Sequence, residues 1–218
     1  DPELLTIKAA RLIKNAGVIG IPAEHKETCK AYQIAAGAVE EIREKEVVPF
    51  PFLMTRDPER LKESHDRLAE KAAGYLDQGR DLVFLTLGDP AVYSTYMYLH
   101  RRLTAMGYEA EIVSGVTSFC AAARLSVSLG DGSTPIHILP GSFPLEEGLS
   151  LPGTRVLMKS GKQMGAVKKA LVSGEYEVLM AENCGMEGER LIGRAQDIPE
   201  DAGYYSLVIV KEKGETGR

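Results

Sequence analysis

The sequence predicts an α/β protein of two α/β domains with a ligand cleft between them. Three observations carry this. The chain has 218 residues, which at about 150 residues per domain suits one large domain or two small ones. Up to residue 113, short apolar runs alternate with helical patterns, as in a parallel sheet. From residue 114 onward the texture becomes strand-rich, with short helices. The boundary is therefore placed to give an N-terminal domain of residues 1–113 and a C-terminal domain of residues 114–218.

Asp1 can cap a helix and Pro2 suits a first turn. A helix is expected from there, with Leu5, Leu12, Ile13 and Ala16 near one face and Gly17 as its stop. Residues 18–21 read as a short apolar strand. Ala31, Ile34, Ala35, Ala38, Val39 and Ile42 recur at helical spacing and predict a helix over 28–45. Residues 47–53 are strand-like, but Pro49 and Pro51 place them at a sheet edge or make them irregular. Leu61, His65, Leu68, Ala72, Tyr75 and Leu76 form one stripe of a helix over 58–78, closed by Gly79. Residues 81–87 read as the clearest buried strand. A helix over 95–106 ends at Gly107, and a short strand is expected over 110–113.

The second half reads as an Ala-rich helix over 116–125, strands over 135–139, 154–159, 176–182, 191–193 and 204–211, and a helix over 163–173. The Gly/Pro-rich stretch 130–153 reads as loops around its one strand, and 214–218 as a frayed tail.

Composition excludes several classes. Hydrophobic residues are 44% and charged residues 26%, which argues against disorder. The net charge is −5 and no Lys/Arg run occurs, so nucleic acid is not an expected partner. No apolar run approaches the roughly 20 residues of a membrane span, and none reads as a secretory leader, so no membrane is expected and a cytoplasmic location is. The three cysteines are too few and too far apart for a disulfide framework. His25 and Cys29 have usable metal-ligand spacing but lack a second pair, so no metal is expected. His65 reads as a semi-buried histidine, and His137 as facing away from its neighbours Ile136 and Ile138. No phosphate-binding P-loop, dinucleotide fingerprint or serine-nucleophile elbow is present.

The informative stretch is LTLGDPAVYST, residues 85–95. A strand ends in Gly-Asp-Pro, then a hydroxyl-rich turn opens a helix. Gly88 permits close backbone approach, and Asp89 places a carboxylate at the carboxyl end of a parallel strand, where open α/β sheets bind ligands. Ser94 and Thr95 can cap the helix or donate to a ligand. A second junction, VSGVTSFCA at 113–121, repeats the pattern with Thr117 and Ser118. Either junction is also an ordinary helix cap.

LGDPAVYST, GVTSFCAAARL and LMKSGK together resemble the tetrapyrrole (corrin/porphyrin) methyltransferase family. The match is closest to its members that methylate C20 of precorrin-2 or cobalt-factor II in cobalamin biosynthesis. The opening DPELLT resembles the end of that family's first motif, which implies that its strand and glycines precede Asp1. Ser114 departs from the usual proline and should alter loop stiffness more than chemistry.

The resemblance implies S-adenosylmethionine as methyl donor, held by Leu87, Gly88, Asp89, Val92, Thr117 and Ser118, with Met158 against the adenine or ribose. Tyr93 and Ser94 are further donor-site candidates. It implies a small-molecule tetrapyrrole substrate, a homodimer, and no named catalytic base. Arg56, Lys159 and Lys162 each follow an expected strand end and are candidates for the substrate carboxylates. The alternatives are a methyltransferase of the same fold acting on another corrin position, RNA or a diphthamide precursor, and a non-catalytic ligand-binding protein. The acidic balance weighs against RNA.

Overall fold

The structure is a computed structural model whose described residues are 1–123 and 128–213. The expected tail at 214–218, and residues 124–125 of the helix expected over 116–125, lie outside the described residues. The chain divides into two compact units, one ending at Thr117 and one beginning at Ser118.

The first unit opens with a tight 3₁₀ turn, Pro2–Leu4, under Asp1, whose Oδ1 accepts from the Glu3 amide at 3.0 Å. Helix α1 (Ile7–Asn15) starts only after Thr6, whose hydroxyl accepts from the Ala9 amide at 3.3 Å. The helix expected from Asp1 is thus split between two successive caps. Strand β1 (Val18–Ile21) follows. Helix α2 (Lys30–Ala38) ends at Val39, which has φ −130°, and residues Glu40–Glu44 form a 3₁₀ turn. The single helix expected over 28–45 is therefore broken. Strand β2 (Glu46–Pro49) stops at the first proline. Helix α3 (Pro58–Leu76) is capped by Asp57, which accepts from the Glu59 and Arg60 amides at 3.0 and 3.2 Å. Strand β3 (Leu82–Phe84) and helix α4 (Tyr96–Ala105) follow.

Among the described residues, the three strands form a parallel sheet in the order β2-β1-β3. Helices α1 and α2 cover one face, where Ile13, Ile19, Ile21, Ala35 and Ile42 meet. Helices α3 and α4 cover the other, where Val18, Phe50, Leu68, Ala72 and Leu99 meet. Central β1 is buried throughout, and each large apolar side chain so removed from water contributes about 1.5–3 kcal/mol. The strand expected to be most buried, 81–87, is instead a short, half-buried edge, and β1 takes the central place.

Among the described residues, strand β3 pairs on one side only. On its other side lies a cavity of about 510 Å³, lined by Leu5, Leu12, Ile34, Val83, Leu87 and Val113 among others. Residues 110–113 lie across this cavity and form no strand, because they have no backbone ladder to join.

On the α3–α4 face, His65 is 6% exposed and stacks on Tyr98, with ring centroids 4.6 Å apart and planes 11° apart. Burial, and secondarily the charge of Arg102, push its pKa below the ordinary histidine value, against an opposing pull from Asp66. Asp66 is itself held below the usual carboxylate range by hydrogen bonds from Arg102 and Lys62.

In the second unit, helix α5 (Ser118–Ala123) leads to strand β4 (Ile136–Pro140), helix α6 (Leu145–Ser150), strand β5 (Thr154–Met158), helix α7 (Met164–Ser173) and strands β6 (Tyr176–Glu182), β7 (Arg190–Ile192) and β8 (Ser206–Glu212). The sheet order is β4-β5-β8-β6-β7. Among the described residues, only β4 and β5 pair in parallel; the other pairs are antiparallel. Met164, Val167 and Leu171 of α7 pack on Leu157, Met180 and Val208. Helix α6 corrects the reading of 130–153 as loops around one strand. Its Leu149 is buried in the same core. No helix among the described residues is long and apolar enough to cross a membrane.

Candidate functional site

The expected donor-site residues of the first unit gather where β3 gives way to α4. Leu87 is 39% exposed, Gly88 is exposed with φ 69°, and Asp89 is half-buried. The left-handed backbone at Gly88 turns the chain sharply out of the strand, which a glycine does without strain. Tyr93 also has positive φ, 50°, just before the helix. The hydroxyls of Ser94 and Thr86 lie 3.0 Å apart, and Ser94 Oγ accepts from the Tyr96 amide at 3.3 Å. Thr95 is the N-cap but makes no side-chain cap bond; Ser94, one residue before it, supplies the hydroxyl that accepts from the first turn instead. Val92 is half-buried, with its amide donating to the Asp89 carbonyl at 3.1 Å.

The second junction meets the first directly. The Gly115 amide donates to Asp89 Oδ2 at 3.1 Å, while Asp89 Oδ1 accepts from the Ala91 amide at 2.8 Å. A Cβ on Gly115 would stand 2.3 Å from the Gly88 carbonyl oxygen, so the backbones touch. Sequence reasoning named Asp89 as a ligand carboxylate and missed this use of it. The second glycine after a strand end was the available signal. Thr117 ends this unit, half-buried, and its Oγ1 has no hydrogen-bond partner among the described residues.

The other candidates fall as follows. Arg56 is exposed, one residue before the Asp57 cap. In the second unit, Ser118 opens α5, and Met158 is half-buried at the end of β5. Lys159 follows with φ 58°, and exposed Lys162 lies in the 3₁₀ turn Gly161–Gln163. A Cβ on Gly141 would come 2.5 Å from the Lys159 carbonyl oxygen, so the turns after β4 and β5 also touch. His25 is exposed whereas Cys29 is buried, and among the described residues no cluster of three or more His, Cys, Asp or Glu could hold a metal ion.

The profile of the tetrapyrrole (corrin/porphyrin) methylases matches residues 1–199. The chain belongs to this family. This chain is 31% identical over 219 residues to the probable cobalt-precorrin-2 C(20)-methyltransferase of Methanocaldococcus jannaschii, covering 97% of this chain and 91% of that one. It is 32% identical over 226 residues to the cobalamin biosynthesis protein CobIJ of Mycobacterium tuberculosis. There the match covers 96% of this chain but 44% of the relative, so the chain spans less than half of that protein's length. Among solved structures, the chain is similar to uroporphyrin-III C-methyltransferase from Thermus thermophilus complexed with S-adenyl homocysteine. The TM-score is 0.66 at 23% identity, covering 97% of this chain and 93% of that one, a likeness of fold.

Proposed function

We propose that this chain is an S-adenosylmethionine-dependent methyltransferase acting on C20 of precorrin-2 or cobalt-factor II in cobalamin biosynthesis. The observation that carries the reading is the near full-length match to a relative named for C20 methylation.

The residues present suit the donor. Gly88 offers an exposed, sharply turned backbone, and the Asp89 carboxylate retains lone pairs beyond those taken by the Ala91 and Gly115 amides, open to an ammonium group. Leu87, Gly88, Asp89, Val92, Tyr93, Ser94, Thr117, Ser118 and Met158 are the residues we assign to it. When bound, S-adenosylmethionine supplies an electrophilic methyl whose sulfur leaves as a neutral thioether, so the chain need provide no acid; the hydrogen that the methyl replaces on C20 leaves as a proton. The chain's residues therefore serve chiefly to hold two ligands in a reactive orientation. Arg56, Lys159 and Lys162 are assigned to the substrate's carboxylates, where cationic groups offset the net charge of −5. The reading carries with it a cytoplasmic homodimer, which light scattering and cell fractionation check.

Incubation with isotopically labelled donor and each tetrapyrrole in turn, followed by mass spectrometry and NMR of the product, tests the function. One methyl at C20 is the expected result. Methylation at another carbon, or none on either substrate, would overturn it.

A further inference from the structure

The Asp89 carboxylate is committed at both oxygens to backbone amides of two different turns, Ala91 in its own and Gly115 in the next. The contact spans 26 residues of sequence and closes over a backbone approach that leaves no room for a Cβ. An anionic acceptor facing an amide holds it about twice as strongly as a neutral one. From this geometry we infer that Asp89 is a positioning residue: it clasps the 113–117 turn to Leu87–Gly88, so that the donor meets one preformed backbone surface. Contact with the donor's own amino group is then secondary to the clasp. The inference rests on the reading that this turn receives the methyl donor. It changes what the carboxylate is for, because removing it loosens a surface rather than deleting one contact.

Two ligands separate the roles: S-adenosylhomocysteine, and its analogue with hydrogen in place of the α-amino group. Calorimetric titration of the parent and of Asp89→Asn with both, alongside amide exchange at Gly115, forms the experiment. Asparagine keeps one acceptor and turns N–H groups toward the other amide. The clasp predicts that Asp89→Asn weakens both ligands by a similar factor, roughly tenfold, and speeds Gly115 exchange. Asp89→Glu, which keeps the charge, should recover part of both effects. If only the amino-bearing ligand loses affinity and Gly115 exchange is unchanged, the carboxylate acts by direct contact and the inference is overturned. If the parent binds neither ligand, the donor-site reading fails; the exchange comparison then decides the clasp by itself.

Discussion

Gly115 sits against Gly88 so closely that a Cβ added to it would stand 2.3 Å from the Gly88 carbonyl oxygen. The obstructing atom is backbone and cannot rotate away. Gly115→Ala should therefore push the two turns apart and destabilise the protein by about 1–3 kcal/mol, the usual range for overpacking. Gly17, with nothing within 4 Å of a built Cβ, is the matched control and should change little. Urea unfolding of both variants checks this. A Gly115→Ala midpoint equal to the parent's would show that the contact relaxes freely.

His65 gives a pH signature. Its folded pKa is lowered, chiefly by burial and then by Arg102, from the ordinary 6.5. As pH falls through that value the unfolded chain takes up a proton that the folded chain still refuses, so the unfolded state is favoured. This contribution is fully present above the unfolded pKa and is lost as pH drops through the folded one. Unfolding free energies measured between about pH 7.5 and about pH 5.5 should decline more for the parent than for His65→Phe, which keeps a ring against Tyr98. Equal slopes would remove His65 as the cause.

Arg56 can be tested without disturbing the fold. Thr55 Oγ1 accepts from the Asp57 amide at 3.2 Å, and the Asp57 cap is formed without the arginine side chain. Losing a charge-assisted contact costs about 1.5–3 kcal/mol, so Arg56→Ala should bind tetrapyrrole about tenfold to a hundredfold more weakly. Donor affinity and unfolding midpoint should stay near the parent's. Arg56→Lys should recover only part, because a lysine cannot grip a carboxylate bidentately. Titrations of Lys159→Ala and Lys162→Ala complete the set; if all three alanine variants bind like the parent, backbone amides hold the carboxylates instead.

How much of this was legible depends on range. β1 was readable because a strand covered on both faces shows an unbroken apolar run, as Val18, Ile19 and Ile21 do. The run at 81–87 is equally apolar, yet an edge position shortens it, and sheet position is not written locally. Helix α6 was missed because Pro144 and Gly148 read as loop chemistry. Its one apolar turn is fixed by packing: a Cβ on Gly148 would meet Leu139 at 2.9 Å. At the site, a carboxylate after a strand end was visible, but its partner lies 26 residues on and belongs to tertiary structure.

The stack of His65 on Tyr98 also has an optical consequence. The chain contains no tryptophan and nine tyrosines, so its ultraviolet emission is tyrosine emission alone. One of those fluorophores lies face to face with an imidazole 4.6 Å away. A charged imidazolium quenches an excited phenol more strongly than a neutral ring does. Native fluorescence therefore responds to the protonation of His65, alongside that of His100, whose ring lies 5.8 Å from Tyr96, on a chain that needs no dye attached to report it; His65→Phe isolates the share due to His65.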